Sequence, residues 1–137
     1  ILLFIACAVL GLFLSGVLLV RELGSANFDK KQVNHVLESY LQAWENADPL
    51  TMYPYLSTED KKNISAAEYK EQFNEFPVQP MSTEIKSIVI QLPEAQVVVA
   101  VAWPDIASGK SIKRMESFYL QKEGEAWLVR ESVSLEK

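Results

Sequence analysis

The sequence predicts an α+β chain: an N-terminal transmembrane helix, then three helices packed on a curved antiparallel sheet of about four strands. Three observations lead there. Ile1 to Val20 carries no charged side chain. Apolar residues then recur every three or four positions from Val33 to Ala47, the period of a helix with one buried face. From Met81 onward the character changes to β-branched runs separated by short turns. Helices that precede an antiparallel set of strands segregate to one face of the sheet.

The chain has 137 residues, enough for one domain and a short appendage. All 13 basic and 18 acidic residues follow Val20. The net charge of −5 argues against nucleic acid as a partner, because phosphate neutralisation needs surplus Lys and Arg.

Residues 1–20 read ILLFIACAVLGLFLSGVLLV. A helix rises about 1.5 Å per residue, so this run covers about 30 Å, the hydrocarbon thickness of a bilayer. Arg21 and Glu22 mark its exit into water. A secretory signal has a shorter apolar region, about 7–15 residues, so the run is expected to anchor the chain to a membrane. Cys7, Gly11 and Ser15 share one helical face at a small-xxx-small spacing that permits close helix packing. Cys7 is the sole cysteine, so no disulfide is available.

Residues 21–31, ending in the polar GSANFDKK, read as a tether. Residues 32–137 form the expected globular domain. Its first helix places Val33, Val36, Leu37, Tyr40, Leu41, Trp44 and Ala47 on one stripe, with His35 on the polar side. Asp48-Pro49 stops this helix and starts another, Asp as cap and Pro in the first turn. Leu50 to Leu56 is a short helix limited by Pro54. Ser57-Thr58-Glu59-Asp60 has the early acids of a helix start. Ser65-x-x-Glu68 is a capping box opening a helix with Tyr69, Phe73 and Phe76, closed by Pro77 and Pro80. Strands are expected at Ile85–Ile90, Ala95–Trp103, Lys110–Gln121 and Ala126–Ser134, with turns at Leu92-Pro93-Glu94, around Ser108-Gly109 and at Glu123-Gly124-Glu125.

Residues 40–73, YLQAWENADPLTMYPYLSTEDKKNISAAEYKEQF, resemble the N-terminal domain of MecA-type penicillin-binding proteins. Trp44, Asp48, Met52, Tyr53, Tyr55, Leu56, Ser57, Ile64, Ser65 and Tyr69 carry the likeness. The resemblance implies a cystatin-like, nuclear transport factor 2-like cone. It also implies a bacterial single-pass membrane protein whose domain lies outside the cytoplasm and meets other domains of the cell envelope. Such proteins continue into a dimerisation region and a transpeptidase domain.

No complete catalytic site is legible. Ser134-x-x-Lys137 matches the S-x-x-K nucleophile motif literally, but no S-D-N or K-T-G follows. His35 is the only histidine, so no metal site is expected. Gly109 and Gly124 are isolated turn glycines, not a phosphate loop, and no cofactor is implied. Some proteins of this fold use a buried Asp or Tyr for proton transfer. Asp105, Tyr40, Tyr53, Tyr55 and Tyr119 are the residues available for that chemistry, with Asp105 in a turn and the tyrosines at core spacing. The expected function is therefore a non-catalytic, membrane-anchored spacer or interaction domain. The alternative is a small-molecule-binding or isomerase-like pocket of the same fold.

Overall fold

A computed structural model of the chain describes residues 2–76 and 79–134, with side chains from residue 24 onward. The element order is α1 (Leu2–Glu45), α2 (Pro49–Met52), a 3-10 turn (Tyr53–Tyr55), α3 (Thr58–Asn63), α4 (Ala66–Glu75), β1 (Ser82–Gln91), β2 (Glu94–Pro104), β3 (Ser111–Glu123), β4 (Ala126–Val129) and α5 (Glu131–Ser134). The expected α+β order holds, and the four strands form one antiparallel sheet in the order β1-β2-β3-β4.

Residues 21–31, expected as a tether without helical period, are helical. They belong to α1, which runs without interruption to Glu45. Helix-compatible residues on both sides carry the helical pattern through the polar stretch, and Gly24 is tolerated at a modest propensity cost. Asp29, inside this stretch, is only 1% exposed. Among the residues whose side chains are described, no helix is long and apolar enough to cross a membrane. The expected span, residues 1–20, lies outside them.

The stripe on α1 is otherwise as its spacing predicts. Val33, Leu37, Tyr40 and Leu41 are buried, Val36 and Trp44 are half-buried, and His35 is exposed. Ala47 departs from the stripe: the helix has ended, and Ala47 takes a positive φ of 53° in the connection to α2. Asp48 caps α2, its Oδ1 accepting from the Thr51 amide at 3.2 Å with Pro49 in the first turn. The expected 50–56 helix gives way to the 3-10 turn at Tyr53-Pro54-Tyr55, since proline interrupts the α-helical ladder. Ser57 caps α3, and Ser65 with Glu68 forms the complete capping box of α4.

The sheet's inner face packs on α1. Val97, Val99 and Val101 alternate inward on β2, facing Phe118 and Leu120 on the neighbouring β3 side of the core. On β1, Ile85 and Ile88 both reach this core although they stand three positions apart. A β-bulge between Ile85 and Ser87 supplies the extra residue that resets the phase.

The last strand is shorter than its sequence suggests. β4 stops at Val129, and Glu131–Ser134 forms the helical turn α5. The Ser134 hydroxyl closes that turn by donating to the Arg130 carbonyl at 2.8 Å. A local side-chain bond of this kind competes with strand pairing.

Candidate functional site

The polar side chains that could carry chemistry gather where α5 meets α3 and α4. Tyr69 on α4 donates its phenolic hydrogen to Glu131 Oε2 at 2.8 Å. The Glu131 amide donates to Asp60 Oδ2 at 2.9 Å, and the same oxygen accepts from Ser57 Oγ at 2.9 Å. Asp60 is thereby buried at the start of α3 with its carboxylate satisfied by neutral donors. Tyr40 of α1 is buried beside Tyr69 and Glu131. An open cavity of about 340 Å³ adjoins the group, lined by Leu56, Asp60, Asn63, Ile64, Tyr69 and Glu131 among others.

The electrostatics follow from burial. Desolvation pushes the Glu131 carboxyl above the usual carboxylate range, against the hydrogen bonds from Tyr69 and Tyr40 that pull it down, while the charge of Asp60 raises it further. Burial also raises both phenols, and the nearby Glu131 adds to it. Both tyrosines are therefore protonated donors at neutral pH, and neither can serve as a base. The cluster can retain a proton on Glu131 at a pH where an exposed glutamate has lost it. Among the described residues, no Lys or Arg forms an ion pair with Asp60 or Glu131.

Of the residues singled out by sequence, Tyr40 lies in this cluster and the Tyr53 ring stands 5.8 Å from that of Tyr69, while Asp105 is not part of it. Asp105 sits in a turn, its Oδ1 accepting from the Ala107 amide at 3.1 Å and its other oxygen bonded to Ser108. The Ser108 hydroxyl and the Ala107 amide hold its pKa below the ordinary value, opposite to what a proton-transfer acid needs. Tyr53 donates to the Ile64 carbonyl at 2.9 Å, tying the 3-10 turn to the start of α4. Tyr55 and Tyr119 are half-buried. Gly109 and Gly124 have φ of 67° and 63°, so they are turn glycines as expected. Ser134 lies in α5, not on a strand, and its Oγ also accepts from the Tyr119 amide at 3.1 Å. Lys137 and the segment after Ser134 lie outside the described residues.

A second polar cluster was not legible in the sequence. Asp29 Oδ1 accepts from Lys122 Nζ at 2.7 Å and from Trp127 Nε1 at 3.1 Å. The Lys122 ammonium also stands 5.9 Å from the Trp127 ring centroid. This cluster fixes α1 to β3 and β4. Among the described residues no group of His, Cys, Asp and Glu is arranged to hold a metal ion.

Neither a known protein family nor a curated protein sequence matches the chain. Solved structures do match in shape. An NTF-2-like protein of unknown function from Shewanella oneidensis superposes with a TM-score of 0.54 at 14% identity, covering 74% of this chain and 93% of that one. A ketosteroid isomerase-like protein from Erwinia carotovora gives 0.53 at 20% identity, covering 72% and 88%. A SEC-C motif-containing protein from Rhodopseudomonas palustris gives 0.54 at 11% identity, covering 70% and 73%. At these identities the likeness concerns the fold alone, and the fold is nuclear transport factor 2-like.

Proposed function

We propose that the chain is a membrane-anchored extracytoplasmic domain of a bacterial cell envelope, a non-catalytic spacer or interaction module of the kind found at the N-terminus of MecA-type penicillin-binding proteins. The observation that carries this reading is α1. A single helix links the uncharged run of residues 1–20 to a residue, Asp29, that is locked into the sheet. A spacer needs that rigidity and needs no chemistry. The interior supports the same reading. Trp44 stands edge-on to Trp103 at 5.4 Å and to Phe118 at 6.0 Å, and Tyr40 to Phe118 at 6.3 Å. These rings pack together in the space between α1 and the sheet. The test is to express the chain in bacteria and wash the membranes with carbonate. Retention in the membrane is expected, and release into the supernatant overturns the anchor.

A second reading rests on the cavity beside Tyr69 and Glu131. A carboxyl whose pKa burial raises, next to a phenol, is a proton-handling pair suited to a small ligand with a carbonyl or amide group. A titration followed by amide shifts at Asn63, Gln72 and Ser132 distinguishes the two. Specific saturable shifts at those lining residues would favour the pocket, and their absence across a small-carbonyl library would favour the spacer.

A further inference from the structure

The pole of the domain from which α1 emerges is assembled from three chain segments. The β1–β2 turn approaches β3 there, the Lys122 amide donating to the Pro93 carbonyl at 2.8 Å. The Lys122 side chain in turn holds Asp29 of α1. The β3–β4 turn at Gly124 follows immediately. The opposite pole holds the other end of α1, where Trp44 meets Trp103 and Glu45 accepts from Thr83. The helix therefore lies along the sheet, and its N-terminal extension leaves at the pole that holds the β1–β2 and β3–β4 turns.

Two large apolar side chains are exposed at this exit pole: Leu92, 61% exposed in the β1–β2 turn, and Phe28, 58% exposed on α1. Turns ordinarily expose polar residues and glycine. We infer that Leu92 and Phe28 form a second membrane contact, seating the exit pole of the domain in the lipid headgroup layer. This inference rests on the membrane reading of residues 1–20.

The distances are compatible. Nine residues from Val20 to Asp29 rise about 13.5 Å along the helix. The headgroup layer beyond the hydrocarbon is about 5–7 Å thick. An upright helix would leave the pole just clear of it. Transmembrane helices tilt by about 20° on average and by up to about 40°. A turn set off the helix axis by one packed-layer spacing stands about 10 Å to the side. A tilt of about 30° toward the sheet lowers that turn to about 7 Å above the hydrocarbon, into the headgroups. Apolar burial of Leu92 and Phe28 would favour tilt in that one direction. The bilayer is the occupant indicated here because the helix that leaves this pole leads straight into the uncharged run.

The experiment uses the full chain reconstituted in phosphatidylcholine vesicles. Single environment-sensitive probes are attached at Leu92→Cys, at Phe28→Cys or at Ile106→Cys, each in a Cys7→Ala background, and at the native Cys7. Ile106, 98% exposed in the β2–β3 loop, reports the far pole. Quenching by lipid spin-labelled in the headgroup, or in the acyl chain for the probe at Cys7, is compared with quenching by aqueous iodide. The expected result is several-fold stronger lipid quenching at 92 and 28 than at 106, and a reduction at 28 when Leu92→Asp is added. Lipid quenching at Cys7 with none at 92 and 28 leaves the anchor standing and overturns the headgroup contact. No lipid quenching at Cys7 overturns both. Shielding of 92 from lipid and iodide alike means a protein partner or a second copy covers the pole, and that too overturns the contact.

Discussion

Trp127 donates its indole hydrogen to Asp29 at 3.1 Å, joining β4 to a helix 98 positions earlier in the chain. Asp29 is almost completely buried, and its second donor, Lys122, is half-buried. The Lys122 hydrogen bond is the largest influence holding the Asp29 pKa below its ordinary value, with the Trp127 bond and the Lys122 charge acting in the same direction against burial.

Asp29→Ala is expected to destabilise the domain by about 1.5–3 kcal/mol, the range for hydrogen bonds to a charged group. The cost stays below that of a fully buried pair because the Lys122 ammonium can turn back to water. The pH dependence has a definite sign. A depressed carboxyl contributes its full stability above the unfolded value, about 3.9, and loses it as pH falls through the lower folded value. Denaturation midpoints at pH 7 and in acid should therefore converge for wild type and Asp29→Ala as the pH drops.

Glu131 has the opposite sign. Its folded pKa is raised, so its contribution is greatest below the unfolded value and falls as pH rises through the folded one. Glu131→Gln should flatten the stability profile across that window. Tyr69→Phe removes a donor that lowers the Glu131 pKa, so carboxyl carbon shifts should then titrate at higher pH. An unchanged midpoint would mean the phenol does not bond to Glu131 in solution.

Trp44→Ala should cost about 3 kcal/mol, the low end for a large aromatic because the indole is only half-buried. His35→Ala, at an exposed position, should stay within about 0.5 kcal/mol. Urea midpoints compare the two directly, and equal shifts would contradict the orientation of α1.

Ser134 should form no adduct with a fluorescent penicillin. Its hydroxyl hydrogen is donated to the Arg130 carbonyl and its oxygen accepts from the Tyr119 amide. A nucleophile needs a base within hydrogen-bond reach and donors aimed at the developing oxyanion. Intact-mass measurement after incubation checks this; a stable mass increase on Ser134 would reverse the reading.

The parts of the fold legible in sequence are those encoded by neighbours. The caps at Asp48 and Ser65 and the stripe from Val33 to Trp44 each rest on residues within a turn or two. What escaped depends on distant partners. GSANFDKK has no apolar period, yet it is helical and Asp29 within it is buried by Lys122 and Trp127. In an unbroken last strand the period of two would set Glu131 on the face of Trp127 and Val129, and nothing local reveals that Asp60 and Tyr69 meet it from far upstream. The isoleucines of β1 show a mixed spacing because the bulge after Ile85 breaks the period of two.

The unbroken course of α1 also fixes an azimuth. Each residue of an α-helix turns the chain by about 100° and advances it about 1.5 Å. One residue inserted between Arg21 and Phe28 would thus swing every surface of the domain by about a quarter turn relative to residues 2–20, with hardly any change in height. Four inserted residues would nearly restore the heading while raising the domain by about 6 Å. Length and bearing can therefore be varied separately in this stalk, and a partner that reads the domain from one side would respond to the first kind of insertion far more than to the second.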